Sequence, residues 1–204
     1  MRGPGRVLTV VLAGCVAEAP TPAPQTYVAL EPSFDPPEGW PWTMGQMTAT
    51  LGATTRAYTI YDFSIGAVDA SAQMSWAPDA DRKVTPGGPV SFLLNAHPEA
   101  DPKARSGVIY LRAEFSEIPK TSAITTKVTV QVPQAGDLDG PGLWASRAEL
   151  RLTGLSRDVG EDWHGRVSGT VTGVLCPAEG KTLTPGGACE PFSAQFDTEL
   201  RYSL

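Results

Sequence analysis

Histidine and clustered positive charge are scarce in this sequence. Only 2 of the 204 residues are histidines, and the formal net charge is -6. Surfaces that bind nucleic acid need clustered Lys and Arg, and no such cluster occurs, so we expect no nucleic-acid partner. A Gly-x-Ser-x-Gly nucleophile elbow and a complete Gly-x-x-x-x-Gly-Lys-Ser/Thr phosphate loop are also lacking. We therefore expect no enzyme, no catalytic residue, no metal and no cofactor.

Residues that interrupt helices and strands are plentiful, since the chain contains 21 Gly and 19 Pro. Its content of 41% hydrophobic and 19% charged residues is typical of a folded protein with an apolar core. A chain of this length has room for one domain of short strands joined by turns.

The N-terminus has the order of an export signal, although no run reaches the roughly 20 apolar residues that span a bilayer. Arg2 and Arg6 are followed by an apolar run from residue 7 to 12 and then by small residues. The ending Leu12-Ala13-Gly14-Cys15 resembles the lipobox of bacterial lipoproteins. The alternative is a buried strand that ends in cysteine. The resemblance implies that residues 1–14 are a signal peptide and that Cys15 is lipidated.

Residues 15–25 form the predicted tether, in which Pro20, Pro22 and Pro24 alternate with other residues. Alternating prolines favour the extended polyproline form, so this segment would hold a domain on the order of 30 Å from the lipid. With the lipobox resemblance, the tether predicts a bacterial cell-envelope protein whose membrane contact is the lipid on Cys15. The domain, residues 26–204, would face the periplasm or the cell surface.

Three cysteines are an odd number for an exported protein. Lipidation of Cys15 accounts for one of them. Cys176 and Cys189 flank a loop between two strand-like runs, so we predict a disulfide between them. Free buried thiols are the alternative, and a zinc site would lack further ligands, because His97 and His164 belong to other parts of the chain.

Apolar and polar residues alternate with period two through most of the domain, which is typical of antiparallel sheets with one buried face. The strongest runs are residues 68–76, 109–115, 124–132, 148–153 and 192–202, and weaker ones are 27–30, 46–51, 56–64, 90–95 and 167–175. The fold class predicted is all-β: a single antiparallel β-sandwich of about ten short strands, with an open β-barrel as the alternative.

Residues 165–204 also resemble the C-terminal hairpin of secreted bacterial β-sandwich lipoproteins, with a Gly/Val/Thr strand ending in Leu-Cys, a polar loop, a second Cys and a Phe-x-x-x-Phe-Asp strand. This resemblance implies a fold and a compartment but no reaction. Gly165, Gly169 and Gly173 lie on one face of the first of these strands, where we expect an aromatic side chain to approach closely.

Two histidines and two acidic pairs are the remaining candidates for chemistry. We interpret His97 and His164 as loop histidines with local hydrogen bonds, although His164 could serve as the base of a hydrolase. Asp137 and Asp139 resemble the start of a calcium loop, but Pro141 occupies a ligand position, and Asp79 and Asp81 fail similarly at Lys83. Hairpin turns explain both pairs better than a metal site.

Trp40 and Trp42 lie in a proline-rich loop and are the candidates for ligand binding. Rigid aromatic side chains in loops stack on sugar rings or fill a partner's pocket. They also fold back as a plug over the open end of a sandwich, which we favour because a Trp side chain is usually mostly buried. The main hypothesis is a lipid-anchored envelope protein that acts through non-catalytic surface contacts with another envelope protein. Binding of glycan or peptidoglycan through Trp40 and Trp42 is the alternative, and a hydrolase is a remote one.

Overall fold

The computed structural model describes residues 41–62, 72–78, 83–98, 103–134, 137–145, 147–157 and 164–203. All of them belong to one compact unit, Pro32–Leu204. The described chain is all-β, as the alternation predicts. None of these residues forms a helix with the length and apolar character needed to cross a membrane.

Twelve strands are present in the described residues, more than the ten expected. They are β1 (Trp42–Leu51), β2 (Thr54–Asp62), β3 (Ala72–Trp76), β4 (Val90–Pro98), β5 (Ile109–Phe115), β6 (Ile124–Thr125), β7 (Val128–Pro133), β8 (Pro141–Ala145), β9 (Ala148–Arg157), β10 (His164–Glu179), β11 (Thr182–Leu183) and β12 (Glu190–Ser203). Glycines with positive φ, such as Gly52 (56°) and Gly87 (82°), form turns where the sequence predicted them.

Hydrogen bonds connect all the strands, but the pairings fall into two antiparallel groups. The long-strand group has the order β2-β1-β12-β10-β9-β6, with β11 attached to the end of β10. The short-strand group has the order β3-β4-β5-β7-β8. Each group presents one face to a shared core and the other to the surface, which is the arrangement expected of a sandwich.

The two groups are joined at their corners rather than separate. The end of β10 pairs with β8, Tyr58 and Thr59 of β2 pair with Pro98 and His97 of β4, and the end of β12 pairs with β3. The β12–β3 pairing is parallel, so the prediction of a purely antiparallel fold is wrong at this corner. β12 lies between β1 and β10 along most of its length, but its pairing with β1 ends at Thr198, and β3 pairs with it from Arg201 to Ser203.

The core consists of the alternating apolar residues of both groups. Along β5 and β12 the buried side chains follow the predicted period of two, from Ile109 to Phe115 and from Phe192 to Tyr202. Phe92 of β4 stacks on Phe196 of β12, with ring centroids 5.9 Å apart, so the two groups meet there. Burial of these faces is the main favourable contribution to folding.

The predicted strand 124–132 is two strands. The Thr125 hydroxyl donates to the Glu114 carbonyl and accepts from the Lys127 backbone N–H, which interrupts the ladder and leaves Ile124 47% exposed. β6 therefore pairs with β9, and β7 pairs with β5 and β8. β8 and β11 were missed altogether, because Gly142 and the segment after Gly180 read as turns.

The glycines of β10 allow aromatic rings of β12 to approach, as predicted. A Cβ atom at Gly165 would lie 2.7 Å from Cε2 of Tyr202, and one at Gly169 would lie 2.8 Å from Cζ of Phe196. Gly173 instead faces Ala148 of β9. Two of the three bare positions thus make room for core aromatics from the neighbouring strand.

Candidate functional site

The disulfide between Cys176 and Cys189 closes the β10–β12 ladder. Leu175 pairs with Glu190, so the two cysteines occupy the next position in the same register. Their Cα atoms are 4.1 Å apart, slightly closer than the roughly 4.4 Å lower limit expected, because they face each other directly across two strands. The predicted disulfide is confirmed, as is the prediction that the strands on either side of it are neighbours. The segment between the two cysteines contains the short β10–β11 hairpin.

Trp42 is the first residue of β1 and is 57% exposed. It pairs with Asp62 of β2, whereas the register of β1 with β12 begins only at Gly45. Among the described residues, no strand therefore pairs with β1 beside Trp42 on the β12 side. The expectation that this residue folds back as a buried plug is wrong.

Asp62 links Trp42 to the far end of β12. The Asp62 carboxylate is 7% exposed and accepts a hydrogen bond from the Arg201 guanidinium. Arg201 pairs in register with His164, the first residue of β10. The fold thus brings Trp42, Asp62, Arg201 and His164 into one neighbourhood, which we call the Trp42 surface. Trp42 and His164 were predicted from the sequence as candidate residues, whereas the ion pair between Asp62 and Arg201 was not.

The outer face of the long-strand group carries further paired charges. Arg166 donates two hydrogen bonds to the Asp197 carboxylate, both 2.8 Å long. This interaction raises the pKa of the Arg166 guanidinium, since it stabilises the charged form, and burial opposes the shift. Arg151 lies 3.6 Å from Glu149 on β9. Each of these arginines has a carboxylate partner on its own sheet surface.

His97 is not a loop residue. It lies on β4, is 8% exposed and packs edge-on against Tyr61, with ring centroids 5.6 Å apart. The loop prediction is wrong because β4 continues through Pro98, where it pairs with β2. His164 is also not a loop residue, since it is the first residue of β10 and pairs with Arg201; residues 158–163 before it lie outside the described residues.

The outer face of the short-strand group has an open groove of about 330 Å³. Its polar side chains are those of Ser91, Arg112, Glu114, Lys127 and Thr129, with Ala113 and Val128 beneath them. We call it the Arg112 groove. The groove was not predicted from the sequence. Its walls come from β4, β5 and β7, which are brought side by side only by the pairing of these strands.

Aromatic side chains flank this groove on the same outer face. Tyr110 pairs with Gln131, and Gln131 pairs with Trp144 of β8. Burial raises the pKa of the Tyr110 phenol, and the charge of Arg105 opposes this shift. The Gln131 amide donates to the Leu138 carbonyl, so the 137–140 turn folds against this row.

The acidic pair at 137–139 forms a turn. The Asp137 carboxylate accepts from the Asp139 backbone N–H at 3.0 Å, and Gly140 N–H donates to the Asp137 carbonyl at 3.2 Å. In the described part of the chain no three His, Cys, Asp or Glu side chains are placed to hold a metal ion.

Several predicted features lie outside the described residues. These are the signal peptide 1–14, the tether 15–25 with Cys15, the strand 27–30, Trp40, and the acidic pair Asp79 and Asp81. Of the two tryptophans chosen for ligand binding, the structure places Trp42 alone.

Comparison with known proteins gives no relative for this arrangement. No protein-family model, curated protein or solved structure matches the chain.

Proposed function

We propose that this protein is a lipid-anchored component of the bacterial cell envelope that acts through non-catalytic surface contacts. The anchor would be the diacylglyceryl group on Cys15, and the tether of residues 15–25 would separate it from the β-sandwich. The disulfide between Cys176 and Cys189 supports an oxidising compartment outside the cytoplasm, because such bonds persist there.

The observation that carries the proposal is the Trp42 surface. A tryptophan that is 57% exposed stands beside a buried carboxylate whose guanidinium partner fixes it in place. Large rigid aromatics bordered by ordered polar groups are typical of contact surfaces, where the ring supplies area and the polar groups supply direction. We assign the contact to this surface.

The exposure of Trp42 favours a glycan as a second candidate for the bound partner. An indole ring stacks on the C–H face of a sugar, and the Arg201 side chain, which is 32% exposed, carries N–H donors for sugar hydroxyls. A buried plug would have removed this possibility, whereas the exposed ring keeps it.

The anchor is tested on the protein purified from its native envelope. Intact-mass and N-terminal peptide analysis should find a mature chain that begins at Cys15 and carries acyl mass. The matched variant Cys15→Ser should be released from the membrane fraction. An unmodified Cys15 thiol, or a mature terminus elsewhere, contradicts the anchor.

The contact surface is tested by tryptophan fluorescence during titration with soluble peptidoglycan fragments. The sequence has 5 tryptophans, so the Trp42 contribution is taken from the difference between the wild type and Trp42→Phe. We expect a saturable shift in the wild type that Trp42→Ala abolishes. Trp76→Phe, altered at a half-buried position, is the control and should retain the shift. A response independent of Trp42 contradicts the glycan candidate.

A further inference from the structure

We propose that the Arg112 groove is a second binding site, for a small ligand that carries a carboxylate next to hydroxyl groups, as in the sugar acids. The groove lies on the short-strand group, whereas the Trp42 surface is formed by β1, β2, β10 and β12. The inference does not rest on the function proposed for Trp42.

The exposed guanidinium of Arg112 is the first feature that points to a ligand. Its side chain is exposed and forms no salt bridge with any residue that the structure describes. A planar guanidinium with five N–H donors suits a carboxylate, which it binds through two parallel hydrogen bonds. Arg166 does this with Asp197 inside the molecule, and Arg112 is left to do it with a ligand.

The neighbouring pair of Lys127 and Glu114 favours a ligand that carries hydroxyl groups beside its carboxylate. The Lys127 ammonium lies 2.5 Å from a Glu114 carboxylate oxygen, with the two side chains 69% and 41% exposed. With Arg112 the groove has two cations and one carboxylate. A ligand hydroxyl can donate a hydrogen bond to the Glu114 carboxylate, whereas a small anion made only of acceptor oxygens cannot. Ser91 and Thr129 add two hydroxyls on the groove wall.

Hydrogen bonds between β5 and the 125–127 segment hold the groove in shape before any ligand binds. Glu114 N–H donates to the Lys127 carbonyl at 3.0 Å, and the Thr125 hydroxyl donates to the Glu114 carbonyl at 2.7 Å. Ala113 and Val128 bury their side chains in the core directly below. A preformed backbone reduces the entropy lost on binding.

The groove is open, and its volume is compatible with a small ligand. About 330 Å³ is near the lower end of small-molecule sites, which begin at roughly 300 Å³, and fits a monosaccharide better than a longer segment. Such a ligand reaches the groove either as a free sugar acid or as one acidic residue of a glycan chain.

The experiment is a titration of the ¹⁵N-labelled full chain, in which NMR measures the chemical shifts of the backbone amides. The probes are glucuronate, a glucuronate trimer, glucose and acetate. We expect saturable shifts at β5 and β7 with either acidic sugar and at least tenfold weaker binding of glucose and acetate, since each lacks one half of the chemistry. Stronger binding of the trimer identifies a glycan chain as the source, and stronger binding of glucuronate identifies the free acid.

Matched variants assign the binding to the groove. Arg112→Ala should weaken binding of the acidic sugar by about tenfold or more, and Arg112→Lys should recover only part of it, since an ammonium cannot form the two-pronged contact. Arg151→Ala removes an exposed arginine from the other outer face and should leave binding unchanged. Equal binding of glucose and glucuronate, equal affinity in Arg112→Ala, or no binding of any acidic probe would overturn the proposal.

Discussion

The outer faces of the two strand groups use their charged residues differently. On the long-strand group, Arg166 and Arg201 have carboxylate partners within the fold, Asp197 and Asp62 respectively. On the short-strand group, Arg112 has no such partner among the described residues, and it borders a groove. The same residue type therefore stabilises the fold on one face and remains available to a ligand on the other. The difference depends on which strand lies alongside, and the alternation of polar residues does not reveal it.

The largest change in the free energy of unfolding is expected when the disulfide of the long-strand group is removed. Replacing both Cys176 and Cys189 by Ser should lower the free energy of unfolding by about 3 kcal/mol, since the bond closes a loop with a sequence separation of 13. Urea denaturation measures this, with Cys15→Ser as the control. In the native oxidised protein, Cys176 and Cys189 should resist alkylation, and labelling of both would contradict the bond.

The next test concerns the most buried ion pair. Asp62→Ala removes the carboxylate that accepts from Arg201, whose side chain is 32% exposed, and should lower the free energy of unfolding by about 2 kcal/mol. Glu149→Ala disrupts an exposed pair on the same face and should have an effect of no more than about 0.5 kcal/mol. Thermal and urea unfolding of both variants measure the difference. Equal effects would show that burial does not distinguish the two pairs.

A smaller effect is expected at Arg166. Its two-pronged contact with Asp197 is partly exposed, at 39% and 24% of the side chains, so Arg166→Ala should cost about 1 kcal/mol. High salt should reduce the gap between variant and wild type, because screening weakens partly exposed pairs. A gap that is insensitive to salt would indicate that the loss is one of packing.

The smallest change in the free energy of unfolding is expected for Arg112→Ala. Its size tests whether arginines on the two outer faces have different roles. Arg112→Ala should change the free energy of unfolding by less than about 0.5 kcal/mol, since none of the described residues forms a salt bridge with Arg112. Urea denaturation beside Arg166→Ala gives the direct contrast. A loss as large as that of Arg166→Ala would show that Arg112 also has a structural role, and the distinction between the two faces would fail.

Local patterns were enough to predict much of the fold. The buried faces of β5 and β12, the pairing of Cys176 with Cys189, and the close approach of aromatics to Gly165 and Gly169 all follow from the chemistry of single strands and their immediate neighbours. The all-β class follows from the same alternation.

Features that depend on distant strands were not predictable from the sequence. The Asp62–Arg201 bond joins residues 139 positions apart, and the walls of the Arg112 groove come from three strands. The division of residues 124–132 into β6 and β7 depends on a Thr125 hydroxyl that finds the Glu114 carbonyl on another strand. Trp42 is exposed for the same kind of reason, since its exposure is set by where the register with β12 begins.

The placement of β12 bears on when this chain can fold. This strand lies between β1 and β10 and also pairs with β3, so Gly45, in the first described strand, finds Thr198 as its neighbour. The long-strand group cannot be completed before residues 190–203 have been synthesised, and contacts this distant in sequence make folding slow. For a chain that is exported as we propose, this delay is useful, because the polypeptide stays unfolded, and able to thread through a translocation channel, until the strand that completes its sheet has followed.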